Sequence, residues 1–307
     1  MSRAWNSAPA TGSSVSHICI ISDGKPGHLN QSLGLAGALQ ALRPQLQVDI
    51  RTPLRGTQLM RALLGRRHDV VPQPALLIGA GHGTHLSLLA LHRATGAPAV
   101  VLMRPSLPLG WFDLCLIPEH DRPPERGNVI RTQGALNRMR PAAKASGFGL
   151  ILLGGPSKHY HWDDAQILAQ LHELLERDPR HWRVVTSRRT PRSLQTALAA
   201  IEAIELVLPE QTDADWLPAQ LGVAECCWVS ADSVSMIYEA LSAGCAVGLL
   251  ELAPVSDSRV ARGLASLVQR GQLTALAQWS GRPLSAPAQG FNEADRCARL
   301  LQERFKL

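Results

Sequence analysis

Two doubly wound α/β domains with mostly parallel sheets are the fold class this sequence predicts, on three observations. Apolar strand-like runs alternate with helix-patterned runs along the whole chain. The strand-like runs are continuously apolar, as expected of parallel strands covered by helices on both faces. The pattern breaks once, at the polar stretch Arg138–Ser146, and then begins again. Two runs of about equal length therefore predict two sheets.

In chain order, the first strands are expected at His17–Ser22, Val48–Arg51, Ala75–Ala80, Ala97–Met103, Leu114–Pro118 and Val129–Arg131. The second series is expected at Phe148–Leu153, Arg183–Thr186, Glu205–Leu208, Glu225–Val229 and Ala246–Leu250. Between them, Leu29, Leu33, Ala36, Leu39 and Leu42 share one helical face, as do Ile167, Leu168, Leu171, Leu174 and Leu175. Ser230 and Asp232 are good N-cap types, and Gly244 is a good stop for the helix between them. A last helix pattern, Asn292–Phe305, is placed to cross back onto the first domain. The expected organisation is a disordered tail over 1–14, a Rossmann-like domain over 15–143 and a second over 144–307, joined near Pro141–Gly147.

The 307 residues are 45% hydrophobic, enough for two cores, but only 4% aromatic, so Leu, Val, Ile and Ala must fill them. Of 31 basic residues only Lys25, Lys144, Lys158 and Lys306 are lysine, and the formal charge is +6. Arginine matches phosphate geometry, so the excess suits a phosphorylated ligand or an anionic membrane surface; genome composition explains most of it equally well. No nucleic-acid motif or aromatic-plus-basic surface is present. The six cysteines have no Cys-x-x-Cys spacing, and four sit in or beside apolar runs, which reads as free thiols in a reducing compartment. No run reaches transmembrane length and the first residues carry no secretory signal. The expected location is the cytoplasm, at most peripheral at the inner membrane.

In such sheets ligands bind where strands end and helices begin, and five loops carry suitable residues. Ser22–His28 brings Asp23, Lys25, Gly27 and His28 together at the start of a helix. There a neutral His28 can act as general base, Asp23 can orient it and Lys25 can meet a phosphate. Gly79–His85 is Gly-rich, and His82 and His85 are placed to face a second substrate, although a lone His is more often structural. Gly154, Gly155, Ser157 and Lys158 form a diphosphate-cradle pattern without the P-loop ending. His159 and His161, two apart, have poor zinc spacing, and no metal site is expected. In Ser187–Pro191, Thr190 reads as an N-cap with Pro191 at the first helical position. Arg188 is the candidate phosphate clamp there, an exposed basic turn being the alternative. Finally, Asp232, Ser233 and Ser235 open a helix whose start can hold a phosphate, and Glu239 stands where a carboxylate can accept hydrogen bonds from a sugar diol. An ordinary surface Glu is the equal alternative.

Taken together, Ser22–Gln31, Gly154–Tyr160, Ser187–Pro191 and Asp232–Met236 resemble GT-B glycosyltransferases. More narrowly, they resemble bacterial members of the family named after the plant mitochondrial fission protein Elm. The likeness spans about His17 to Leu250. The wider resemblance is to the lipid-linked GlcNAc transferase of peptidoglycan synthesis. Its first-domain loop histidine falls on His28, and its ribose-binding Glu, five residues before a Gly, falls on Glu239 and Gly244. Two departures stand out: Asp23 and Lys25-Pro26 replace a plain Gly-rich turn, and Asp232-Ser233 replaces a Ser-Gly-type turn.

The resemblance implies a first domain that binds an acceptor and a second that binds a nucleotide-diphosphate sugar, typically a UDP-sugar. The sugar would pass to an envelope or lipid-linked acceptor without a metal or other cofactor. Its rivals are a non-catalytic scaffold for a protein partner or membrane, as the plant relative implies, and a nucleotide-sugar epimerase. Nucleotide, sugar, acceptor and oligomeric state are not legible.

Overall fold

The computed structural model describes residues 16–64, 73–287 and 290–307; the tail expected over 1–14 lies outside them. The first unit runs β1 (His17–Ile21), α1 (Pro26–Leu42), β2 (Gln47–Arg51), α2 (Gly56–Leu63), β3 (Pro74–Ala80), α3 (His85–Thr95), β4 (Ala99–Leu102), β5 (Leu114–Pro118) and β6 (Val129–Thr132). The second runs β7 (Ala145–Leu153), α4 (Asp164–Arg177), β8 (His181–Thr186), α5 (Arg192–Ala199), β9 (Ile204–Val207), α6 (Trp216–Val223), β10 (Ala224–Ser230), α7 (Val234–Ser242), β11 (Ala246–Leu250), α8 (Arg259–Gln269), β12 (Thr274–Ala275) and α9 (Glu293–Phe305).

Local chemistry sets the helix ends. Pro26 opens α1 at a position whose N–H has no intrahelical partner, and Arg43, which precedes Pro44, leaves the helical region. Asp163 caps α4 by accepting from the N–H groups of Ala165 and Gln166. Gly244, at φ +77, ends the turn after α7 as expected. At the start of α5 the expectation fails by one residue: Pro191, not Thr190, is the N-cap. The Thr190 hydroxyl is turned inward to the carbonyl of Gly154 instead.

Each sheet has six parallel strands. Their orders are β2-β1-β3-β4-β5-β6 and β12-β11-β10-β7-β8-β9. In the first, successive connections diverge on either side of the β1/β3 boundary; in the second they diverge at β7/β10. These are the topological switch points, where adjacent loops part and leave a crevice. The loops they place together are those after β1 and β3, and those after β7 and β10. β12, two residues long, carries too little periodicity to be foreseen.

Burial follows the apolar runs. Ile18, Ile20, Leu76, Ile78, Val100 and Leu116 fill one face of the first sheet, and Leu150 to Leu153 the centre of the second. Trp182 and Trp228 are fully buried, each opposite a glycine on the neighbouring strand, Gly149 and Gly248 respectively. A Cβ on either glycine would collide with the indole beside it. Close packing leaves no room for the extra atom. All six cysteines are buried and free. The final helix returns to the first unit, where Ala294, Cys297, Ala298 and Leu301 join the core of Leu35, Ala36 and Leu39 from α1.

Gly248→Ala is expected to destabilise the protein by about 1–3 kcal/mol through overpacking against Trp228. Urea denaturation measures this, and an unchanged midpoint would mean the indole does not lie against that strand.

Candidate functional site

At the first switch point, the loop after β1 turns back on itself. Ser22 Oγ accepts from Gly24 N at 3.2 Å, and Asp23 Oδ1 accepts from Lys25 N at 3.2 Å. Lys25 is thereby set as the N-cap of α1, and His28 falls in its first turn. His28 Nδ1 lies 2.9 Å from Asp23 Oδ2 and 3.1 Å from Oδ1. With Nδ1 donating to the carboxylate, Nε2 is left free to accept a proton. Burial opposes ionisation of Asp23. The His28 hydrogen bond, the Lys25 N–H and the nearby positive charges outweigh it, so its carboxyl lies below the ordinary value.

The loop after β3 forms the floor of this pair. Gly81, at φ +82, brings its backbone against the His28 ring, where a Cβ would overlap the imidazole. A Cβ on Gly83 would lie 3.3 Å from Asp23 Cβ. His82 is exposed beside it. His85, expected to face a second substrate, is instead 2% exposed, 3.3 Å from Ser106 Oγ and edge-on to Phe112. Burial and the neighbouring His82 hold its pKa down, so it packs as a neutral core histidine.

At the second switch point, Asp232 is the hub. Its side chain is 1% exposed. Oδ1 accepts from Ser230 Oγ at 2.7 Å. Oδ2 accepts from Gly155 N at 3.0 Å, Arg189 Nη2 at 2.8 Å and Ser233 Oγ at 3.2 Å. Ser230 Oγ also accepts from Gly154 N at 2.8 Å. Arg189 Nη1 donates to the Gly155 carbonyl at 2.8 Å. The loops after β7, β8 and β10 are thus sewn to one buried carboxylate.

This changes the expected part played by several residues. The N–H groups of Gly154 and Gly155, read as a diphosphate cradle, already have partners in Ser230 and Asp232. The glycines serve loop-to-loop packing: a Cβ on Gly154 would strike Asp232, and one on Gly155 the carbonyl of Arg189. Ser157 Oγ accepts from the N–H groups of His159 and Tyr160 and closes its own turn. Lys158 and Arg188 are exposed and outside the cavity described next.

That cavity, about 560 Å³, opens over the start of α7. Asp232, Ser233 and Ser235 line it, as do His159, Arg189, Arg262 and Arg270 from the second unit and Glu119, Arg122, Gln133 and Gly134 from the first. Ser233, the N-cap of α7, makes no side-chain cap. Its hydroxyl is engaged by Arg189 and Asp232 instead, so the first N–H groups of α7 and the positive end of its dipole face the space above. Tyr238 forms one wall, its ring against Gly134, which adopts φ +77. Burial and the Glu119 charge raise its hydroxyl to about 12, so it stands neutral as a donor.

Neither His28 nor Asp23 lines this cavity, and Glu239 does not either. Glu239 is half-buried on α7, and its side chain forms no hydrogen bond among the described residues. Burial pushes its carboxyl up to about 7, with the Arg138 charge partly offsetting this. Of the adjacent pair, the sequence points to Arg188, but the structure sets Arg189, itself 45% exposed, on Asp232. Sequence reading also passed over Arg122, Gln133–Gly134, Arg262 and Arg270. Only Gln133–Gly134 carried a signal, a glycine two residues after a strand end.

A family model described as mitochondrial fission ELM1 matches residues 26–305. The chain belongs to that family. No curated protein matches it by sequence. Among solved structures, it is similar to a candidate UDP-N-acetylglucosamine 2-epimerase of Listeria monocytogenes, at 13% identity and TM-score 0.53 over 94% of this chain and 88% of that one. MnaA of S. aureus with UDP gives 14%, TM-score 0.49 and coverage of 94% and 89%. MurG of Acinetobacter baumannii gives 13%, 0.45 and 94% and 91%. The likeness to the Listeria structure is one of fold, the GT-B arrangement of two parallel α/β units that this ELM1-family chain also shows.

Glu239 gives the folded chain a pH signature. The folded state holds its proton to about pH 7, whereas the unfolded chain releases it near 4.5. Stability is therefore full below about 4.5, falls as pH rises to about 7 and is level above. Glu239→Gln is expected to stabilise the protein by about 3 kcal/mol at pH 8 and by little at pH 4.5. Urea denaturation at the two pH values checks this; equal effects at both would remove the desolvated carboxyl.

Proposed function

We propose that this ELM1-family protein transfers a sugar from a nucleotide-diphosphate sugar to an acceptor hydroxyl. The observation that carries this reading is the uncapped start of α7, which opens into a cavity at a topological switch point. The diphosphate lies against the N–H groups there, with Ser233, Ser235 and Arg262 about it and Arg189 holding the loops beneath. Glu239, half-buried and without a hydrogen-bond partner, accepts from the ribose hydroxyls. The Gly154–Lys158 segment and Arg188 form the outer edge of the donor side. Across the cleft, Lys25, Gly27 and His82 surround the acceptor.

In the reaction, His28 Nε2 takes the proton of the acceptor hydroxyl while Asp23 steadies the imidazolium that forms. The acceptor oxygen bonds to the anomeric carbon, and the bond from that carbon to the diphosphate oxygen breaks. The nucleoside diphosphate leaves with the electron pair, stabilised by the helix dipole and the arginines. Attack from the face opposite the leaving group inverts the anomeric centre.

A lipid-linked or envelope acceptor at a membrane surface is part of the same proposal. In its support, Met60 and Leu64 on and after α2, Leu86 on α3 and Trp111 are exposed. Residues 50–112 contain seven Arg and one Asp, a net +6 equal to that of the whole chain. Among the described residues no helix is long and apolar enough to cross a membrane.

Thermal-shift titration with UDP, GDP, ADP, CMP and TDP is expected to raise the midpoint for one nucleotide, and Glu239→Ala to abolish that rise. No rise with any of them would sink the donor site. With the matching nucleotide sugar, His28→Ala should lower turnover by about 10²–10⁴-fold. Nucleotide binding by a wild type that never turns over would favour the scaffold, and release of nucleotide without a transfer product the epimerase.

Co-sedimentation with vesicles containing anionic lipid should fall when Met60, Leu64 and Trp111 are replaced by Ser. Equal pelleting of the triple variant would refute membrane contact through these side chains.

A further inference from the structure

A second space adjoins the cavity on the side of the first unit. It is a groove of about 370 Å³ lined by Glu119, Arg122, Pro123, Arg131 and Arg270. Glu119, Arg122 and Arg270 line both spaces, so the two share a wall. Three arginines and one carboxylate thus line the groove, and the carboxylate reaches only Arg270, at 3.8 Å. Among the described residues the side chains of Arg122 and Arg131 have no ion-pair or hydrogen-bond partner.

The arrangement is built rather than left over. Arg122 follows the short turn Glu119–Asp121 and adopts φ +49, a left-handed conformation unfavourable for a side chain with a Cβ. Arg104 holds it there, donating from Nη1 to the carbonyls of Asp121 at 2.9 Å and Arg122 at 3.3 Å. Arg131, on β6, is fixed in the same way: Arg296 of α9 donates from Nη2 to its carbonyl at 2.7 Å. Two arginines hold the backbones of two others, whose guanidiniums remain free. Like charges gathered at a cleft repel one another unless an anion joins them. The guanidinium fork is the group best shaped to take a phosphate in two hydrogen bonds.

We propose that Arg122, Arg131 and Arg270 form a second anion subsite, adjoining the nucleotide cavity, that takes a phosphate group of the acceptor substrate. Arg122 and Arg131 stand on the unit that carries His28, and Arg270 follows α8 on the unit that carries the α7 start. A ligand held here therefore spans the cleft between the two. The assignment to the acceptor rests on the nucleotide-sugar reading; the anion subsite itself does not.

The test is isothermal titration of inorganic phosphate into the full-length protein at constant ionic strength, with and without a saturating nucleoside diphosphate. The variant is Arg122→Gly with Arg131→Gln. Glycine adopts the Arg122 conformation freely, so the variant should fold at least as well as the parent. Phosphate is expected to bind the nucleotide-loaded wild type, and the double variant to bind it at least about tenfold more weakly while keeping its nucleotide affinity. Phosphate binding that is unchanged in the variant, or absent from the loaded and unloaded wild type alike, would overturn the subsite. Loss of phosphate binding on nucleotide loading, with nucleotide affinity weakened in the variant, would assign the arginines to the donor and overturn the acceptor. If no nucleotide binds, the donor reading fails, while phosphate binding to the unloaded protein, lost in the variant, still upholds the anion subsite.

Discussion

A carboxylate taken out of water is tolerable only when its lone pairs are filled, and the geometry of the second unit follows from how Asp232 meets that condition. Its four donors come from Ser230, Ser233, Gly155 and Arg189, on three loops. Satisfying it pulls those loops into contact, which requires that Gly154 and Gly155 carry no Cβ. It also draws the Ser233 hydroxyl away from capping α7. The free helix start is thus a consequence of a hydrogen-bond demand elsewhere. An acidic residue beside an open helix start is no contradiction, because its charge is matched by Arg189 and turned inward.

The first unit solves a parallel problem with different parts. Its loop carboxylate, Asp23, is filled by an imidazole and the Lys25 N–H, and Gly81 and Gly83 let the β3 loop close beneath them. Both assemblies stand at switch points of parallel sheets, where adjacent loops separate and polar groups gather without disturbing the ladder. The linker and the last helix hold the units together. Asn137 donates to Ser242 Oγ at 3.0 Å while its carbonyl rests where a Cβ on Gly34 of α1 would be. Glu293 of α9 accepts from Gln133 N at 2.9 Å.

The arginine content takes on a different meaning once positions are known. Several guanidiniums do structural work: Arg189 on Asp232, Arg104 and Arg296 on backbone carbonyls, Arg180 on Asp178. Composition weighed a phosphorylated ligand against genome bias for all of them together. The structure separates those already matched from Arg122 and Arg131, which are not.

The strands, the start of α1 and the glycine after α7 were legible because they rest on local rules: continuous apolar runs, proline at a helix start, glycine at positive φ. His28 was legible for the same reason, since a βα turn places the next residues at a sheet edge. Arg189 was not distinguishable from Arg188, because two adjacent arginines differ only in which way the turn directs them. The cradle expected at Gly154–Gly155 did not arise, because its N–H groups are satisfied by Ser230 and by Asp232, the latter 77 residues away. The sequence by itself determined the two α/β units and the loops at which polar residues gather, through short-range periodicity and backbone preference. Only the tertiary structure decided which polar groups in those loops remain free, because hydrogen-bond satisfaction is settled between residues far apart in the chain.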